Sequence, residues 1–409
     1  MLQQVDVGVQ DPLAYEEFVG RRVMDELHEL AEQLRGRRIL HVNSTAFGGG
    51  VSELLRSMIP IYRGLGLGVE WQVITGDERF FGVSKAFHNA LQGAQFHVSP
   101  EVQRIFEMYS GHNASLLEGE YDFIIAHDPQ TVALRHLHGR DGARWAWRCH
   151  IDTSQPDAEV LDYLSPFMRE HDALVFTMDE FVPLALEHPR VAVIAPGIDP
   201  LSPKNMPIPE RMCRQICRWM GVDLERPLLT QVSRFDPWKD PEGVVRVYRA
   251  VREEVPGLQL ALLGSMAMDD PEGWGIYEAV LEQTKGDPDI HVATNITGVS
   301  SVEINAFQHQ SDVVIQKSIR EGFGLVVSET IWKGTPVVAG RAGGIPLQME
   351  DGVGGFLAGD DSEFVERLLY LLRTPGEAVR IGAAGRERVR ENYLITRLLR
   401  DEMRLLASL

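Results

Sequence analysis

The feature that most constrains this chain is a proline-laden stretch, PGIDPLSPKNMPIP at residues 196–209, set between two runs in which short apolar segments alternate with helical patterns. Five prolines in so short a space can neither continue a helix nor supply a full strand ladder, so the stretch ends one folding unit and begins another. Before it, RILHVN (Arg38–Asn43), VEWQVIT, YDFIIAH, WAWRCHI, ALVFT and VAVIAP read as buried strands, with helical patterns over 15–34, 51–62 and 179–186. After it, PLLTQVS, LQLALLG, IHVAT, SDVVIQ and TPVVAG alternate with helices from Pro241, near Tyr277 and from about Leu325, and an amphipathic pair closes the chain over 362–409. Such alternation means a parallel sheet covered on both faces, twice over: an α/β fold of two Rossmann-like doubly wound domains. Ligands in such domains sit at the carboxyl ends of the strands, so that is where chemistry is sought.

Charge narrows the partners. Lys plus Arg is 40 and Asp plus Glu is 59, a formal net charge of −19 over 409 residues. That balance argues against nucleic acid and against anionic membrane surfaces, which reward basic clusters. If phosphate is bound, a few well-placed cations must do it in a negative overall field. The N-terminus, MLQQVDVGVQDP, has neither the basic start nor the apolar core of a signal peptide, and no apolar run approaches the roughly 18 residues that span a bilayer. Three cysteines, Cys149, Cys213 and Cys217, fit a reduced interior better than a disulfide scaffold, and Cys213 with Cys217 lacks the second ligand pair of a zinc site. A cytoplasmic protein is expected.

Three motifs carry the chemistry. NSTAFGGGVSELL follows the first strand: Gly48, Gly49 and Gly50 permit close backbone approach, and a helix from about Val51 points its free N–H groups at the loop. A tight strand–helix turn would explain the same glycines. SIREGFGLVVSE, residues 318–329, brackets a Gly-Phe-Gly turn with two carboxylates, Glu321 on the loop and Glu329 inside the helix that the turn opens. Gly322, Phe323, Gly324 and Leu325 form the turn and the helix start, where a diphosphate can lie; Glu321 then faces the reacting sugar, and Glu329 suits ribose hydroxyls. The rival is a hydrolase acid/base pair, which needs carboxyl groups about 5–5.5 or about 6.5–9.5 Å apart across a bond. QVSRFDPWKDPEG puts Arg234 and Lys239 across a Phe-Asp-Pro turn, a planar fork and a point charge suited to one diphosphate, or else to surface ion pairs.

Smaller signals complete the expectation. His127 and Asp128 in HDPQ, and His150 and Asp152 in CHID, each end a strand and can face a cleft, although a strand-end histidine is often only packed and Asp152 with Thr153 can cap the next segment. AGGIPLQMEDGVGGFL sets Gly343 and Gly344 before a short helix. No metal is called for: Asp287-Pro288-Asp289 has the letters of an Asp-x-Asp motif but precedes a strand instead of ending one.

Together the Glu-x7-Glu spacing, the Arg-x4-Lys pair, PGID and the GGIP…GxxGFL tail resemble the retaining glycosyltransferases of glycosyltransferase family four, over essentially the whole chain. More narrowly, HVNSTAFGGGVSE, FHNALQG, HDPQ, WRCHID, QVSRFDPWK, DDPEGW and REGFGL are similar to its trehalose-forming members. The resemblance implies a GT-B architecture with an active-site cleft between the domains: an acceptor-side domain over 1–196, a nucleotide-sugar domain over 197–385, and a last helix over 386–409 packing back toward the first. It implies glucosyl transfer from a nucleoside-diphosphate glucose to free glucose, giving α,α-trehalose, with no cofactor or essential divalent metal, and it leaves room for a homodimer. Carried over by position, Arg234 and Lys239 hold the diphosphate, Glu329 the ribose, and Glu321 the donor sugar. Gly49 and Gly50 approach the diphosphate, His150 contacts the donor sugar, and Asp152, His127 and Asp128 shape the acceptor pocket. One departure stands out: Leu347 and Gln348 follow Pro346 where many members carry Glu. The rival activities are a trehalose phosphorylase, which would not depend on nucleotide, and a sugar-nucleotide epimerase on the same scaffold, which would need no acceptor. An NAD oxidoreductase lacks its full glycine fingerprint.

Overall fold

Most of the apolar runs become strands because parallel strands covered on both faces read as continuous hydrophobic stretches. The computed structural model describes residues 1–139, 142–266 and 271–409, and the chain divides into two units: Met1–Gly197 with Ile395–Leu409, and Ile198–Leu394. The Asp269–Asp270 part of DDPEGW lies outside the described residues.

The first unit holds a seven-stranded sheet built from β1 (Gln3–Gln4), β2 (Arg38–Asn43), β3 (Gly68–Val73), β4 (Phe123–His127), β5 (Arg144–Arg148), β6 (Ala173–Phe176) and β7 (Val191–Val193). Their order is β1-β3-β2-β4-β5-β6-β7, parallel apart from β1. Every residue of β4 and β6 is buried. Trp145, Trp147 and Phe176 join Phe80, Phe87 and Phe106 in the core. The helix Ile395–Ser408, last in the chain, belongs to this unit and packs against the helix Arg21–Gln33.

The second unit contains β8 (Leu228–Arg234), β9 (Gln259–Ser265), β10 (Ile290–Thr294), β11 (Val313–Gln316), β12 (Val337–Gly340), β13 (Glu350–Asp351) and β14 (Gly354–Ala358). They are all parallel, in the order β10-β9-β8-β11-β12-β14-β13. In both sheets the order reverses beside the first long strand: between β2 and β4 in one, between β8 and β11 in the other. Those reversals leave a crevice at the carboxyl ends of the flanking strands, where ligands of doubly wound sheets bind.

Several expectations are corrected. The pattern over 179–186 is a single 3-10 turn, Asp179–Phe181, because Val182 precedes Pro183, which donates no N–H and disfavours a helical residue before it. The preface over 15–34 is interrupted at Gly20, whose φ of 76° no ordinary helix accepts. The segment 386–409 is two helices, the end of Pro375–Asn392 and then Ile395–Ser408, parted at Tyr393–Leu394, where Tyr393 O accepts the Ile198 N–H at 2.7 Å. The strand β14 was not anticipated, since GGFLA reads as a glycine-rich tail.

Candidate active site

In the second unit, the loops that leave β8 and β11 flank the sheet's reversal, and they carry the Arg-x4-Lys and Glu-x7-Glu residues. Lys239 lies on the 3-10 turn Pro237–Lys239, which Asp236 starts by accepting the Trp238 N–H at 2.8 Å. Its ammonium pairs directly with Glu321 Oε2, and the Ser318 hydroxyl donates to the same oxygen at 3.2 Å. Ile319 N–H donates to Trp238 O at 2.8 Å, so backbone as well as charge straps the two loops together. Arg234 is different: its side chain is 58% exposed and pairs with Asp236 at 2.9 Å. Both cations thus have a carboxylate neighbour, the Lys239–Glu321 pair largely buried and Arg234 largely exposed.

The helix Leu325–Trp332 opens at Gly324, φ 81°, with no side chain capping its first N–H groups. Glu329 is 4% exposed, with Lys204 Nζ 3.6 Å from its Oε1. Lys333, one turn on, donates to Glu329 O at 2.9 Å and to Asn205 Oδ1 at 3.0 Å. Burial pushes the Lys333 ammonium down to about 7, with the Glu329 charge opposing and Lys204 adding. Glu329 therefore sits with two lysines, one from the proline-rich stretch. Gly343 and Gly344 have a packing role: a Cβ on Gly343 (φ 49°) would overlap the Glu321 carbonyl oxygen, and Gly344 N–H donates to Gly322 O at 3.1 Å. Gln348, fully buried, accepts the Ser328 N–H at 2.9 Å and hydroxyl at 2.6 Å and donates to Phe323 O, so the residue that departs from the family pattern ties the Gly-Phe-Gly turn to its helix. Asp287 and Asp289 are occupied by Arg252 and Arg226.

In the first unit, Gly48 (φ 73°) and Gly49 (φ 84°) carry the loop after β2 into the helix Gly50–Gly64. No side chain caps that helix, and a Cβ at Gly48 or Gly49 would meet nothing within 4 Å, so the turn is open. An uncapped helix start facing open space can take an anion.

Across the reversal, the ends of β4 and β5 bring His127, Asp128 and His150 into one cluster, with Asp152 in the turn that follows β5. Asp128 holds a positive φ of 62°, uncommon without glycine, and its Oδ1 accepts the His150 N–H at 2.8 Å. Burial pushes its carboxyl up to about 7, the His150 N–H and Arg148 opposing. Asp152 accepts the Ser154 N–H and hydroxyl at 2.9 and 2.6 Å, which is the turn role its sequence allowed. His127 must be corrected: it is 1% exposed, and its ring nitrogens meet His41 Nδ1 at 3.0 Å and His150 Nε2 at 2.8 Å, so it supports His150 and is closed to an acceptor. His150 is only partly buried, and Nδ1 is its ring nitrogen not engaged by any described residue.

Sequence reading missed Lys204, Lys333, His41, Arg148 and Glu402, and marked Gln348 only as a departure from the family pattern. Only Lys333 had a local signal, four residues after Glu329 on one helix face. The others come from distant positions; Glu402 lies 254 residues from its partner Arg148.

A model described as "Trehalose synthase, N-terminal domain" matches residues 41–183, and one described as "Glycosyl transferases group 1" matches 220–388. The chain is 50% identical over 414 residues to a trehalose synthase of Rubrobacter xylanophilus, covering 100% of this chain and 99% of that one. It is 43% identical over 397 residues to a trehalose synthase of Pyrococcus horikoshii, covering 97% and 95%. Among solved structures, a UDP-forming α,α-trehalose-phosphate synthase from Burkholderia xenovorans superposes with a TM-score of 0.71 at 16% identity, covering 91% of this chain and 98% of that one, a likeness of fold.

Proposed function

Since this chain belongs to the trehalose synthase family, hexosyltransferases of GT-B architecture, we propose that it joins the glucosyl group of a nucleoside-diphosphate glucose to free glucose, with retention of configuration, giving α,α-trehalose. The observation that carries the reading is the pairing of Lys239 with Glu321 where the second sheet reverses, beside the uncapped helix start at Gly324. A cation, a carboxylate and free N–H groups there suit a sugar joined to a diphosphate.

Departure of the nucleoside diphosphate builds negative charge on its leaving oxygens. Lys239, Arg234 and the Leu325–Trp332 helix start stabilise that charge, a preorganised term worth orders of magnitude in rate. The sugar passes through an oxocarbenium-like state, and the leaving phosphate takes the acceptor's proton on the same face. Glu321 and His150 contact the donor sugar; Glu329, flanked by Lys204 and Lys333, anchors the nucleoside end. Asp128 and Asp152 border the acceptor. Charge on the diphosphate is met by protein cations, so no divalent ion is required.

The deciding assay incubates the protein with glucose and a panel of nucleotide-glucoses, with and without phosphate and with and without a chelator. Trehalose formed only with a nucleotide donor, unaffected by chelator, is the expected result. Phosphate-dependent cleavage of trehalose to glucose 1-phosphate would replace it with phosphorolysis, and donor consumption without glucose would indicate epimerisation.

A further inference from the structure

Beneath His150 the first unit buries a continuous line of side chains. His150 Nε2 meets His127 Nδ1 at 2.8 Å, and His127 Nε2 meets His41 Nδ1 at 3.0 Å. His41 Nε2 lies 3.6 Å from Glu402 Oε1. Glu402 is itself fixed: Arg148 donates to its Oε2 at 2.7 Å and Tyr62 donates to its Oε1 at 2.8 Å. His41 and Tyr62 are fully buried, and His127, Arg148 and Glu402 are at most 4% exposed.

Burial holds all three imidazoles on the neutral side, His127 and His150 well so, with Arg148 and neighbouring rings adding; at His41 the Glu402 charge opposes the shift and Arg148 adds to it. A neutral imidazole has one N–H, and each ring-to-ring contact needs one proton between its two nitrogens. Two N–H groups face to face, or two lone pairs, would clash in a medium where nothing else can satisfy them. The three rings therefore share only two arrangements, all pointing one way or all the other. If His41 donates to His127 and His127 to His150, then His41 turns a bare Nε2 toward the Glu402 carboxylate. If the line runs the other way, His41 turns its Nε2–H toward that charge. The carboxylate decides between them.

We infer that Glu402, acting through His41 and His127, is a positioning residue that fixes His150 as its Nε2–H tautomer, so that Nδ1, the nitrogen not engaged by any described residue, is presented as a hydrogen-bond acceptor for a sugar hydroxyl. The last part rests on the reading of His150 as a sugar contact; the tautomer does not. Arg148, Tyr62 and Asp128 are the other charged or titratable groups around the line, and Arg148 and Tyr62 are spent on Glu402.

Two-bond proton–nitrogen correlation spectra of the full chain, labelled with 15N-histidine, read the tautomer directly at neutral pH. The expected spectrum has His150, His127 and His41 all protonated at Nε2; a His150 protonated at Nδ1 overturns the inference without any variant. In His41→Leu the line is cut while Arg148, Tyr62 and Glu402 keep their contacts. His150 should then show mixed tautomers, with kcat down about tenfold and KM unchanged. A His150 that keeps the single Nε2–H form in that variant equally overturns it. Near-normal turnover in His150→Ala would remove the sugar contact while leaving the tautomer result standing.

Discussion

Lys239 and Glu321 pair directly, so the ammonium proposed to meet a diphosphate is oriented by the carboxylate proposed to face the sugar. Lys239→Ala and Arg234→Ala are each expected to lower turnover by roughly 10²–10³, by analogy with the loss of one preorganised charge or donor, while thermal unfolding stays near that of the parent. Near-normal turnover in both would sink the diphosphate assignment. Gly343 is a second single-atom test. With φ at 49° and the Glu321 carbonyl where a Cβ would go, Gly343→Ala should cost about 1–3 kcal/mol and damage turnover through the Glu321 loop. Gly376→Ala, at an ordinary φ with nothing within 4 Å of the new Cβ, should change neither, as urea titration and initial rates would show.

At the scale of elements, most strands were legible because they are short apolar runs, and some end on polar residues that mark the site, as β4 ends at His127 and β8 at Arg234. What failed was local and has local causes: Pro183 cut a helical pattern short, and GGFLA hid β14 because glycine carries no hydrophobic signal. The motif loops were legible too, but not what stands behind them. Nothing in HDPQ tells that His127 faces two other rings, since His41 is 86 residues away and Glu402 sits on the final helix. That helix makes the element-scale prediction. Arg148→Met leaves the Glu402 carboxylate buried without its cation and should cost about 3–5 kcal/mol, whereas Arg148→Met with Glu402→Leu should recover most of it. Denaturant titrations of the singles and the double give the coupling; additive losses would show that the pair does not act as a unit.

Over the whole molecule, the net charge of −19 and a role in binding diphosphate are compatible, because a small anion needs a few cations at a sheet reversal and not a basic surface. None of the described helices is long and apolar enough to cross a membrane. The histidines set how the molecule answers acid. His127 and His150 are pushed well toward neutrality and His41 in the same direction, and burial takes His171 and His309 down to about 4. Unfolded, each takes up a proton near pH 6.5; folded, each refuses it until lower pH, so stability falls as pH drops below about 6.5, by up to about 1.4 kcal/mol per pH unit for each group. Asp128, raised to about 7, and Asp312, also raised by burial, work with the opposite sign, but they are two carboxyl groups against six lowered histidines once His291 is included. Thermal unfolding should therefore move to clearly lower temperature between pH 7 and 5, and a flat profile would contradict the buried neutral rings.

The first unit is also discontinuous: its last helix, Ile395–Ser408, follows the entire second unit in the chain. A ribosome adding about 5–20 residues per second exposes Arg148 roughly ten seconds to a minute before it delivers Glu402. For that interval the nascent first unit has a cation with no counter-charge and a bare helix face. Its completion waits on the synthesis of the whole second unit, and a transcript broken after that unit would yield one finished domain and one waiting for its keystone.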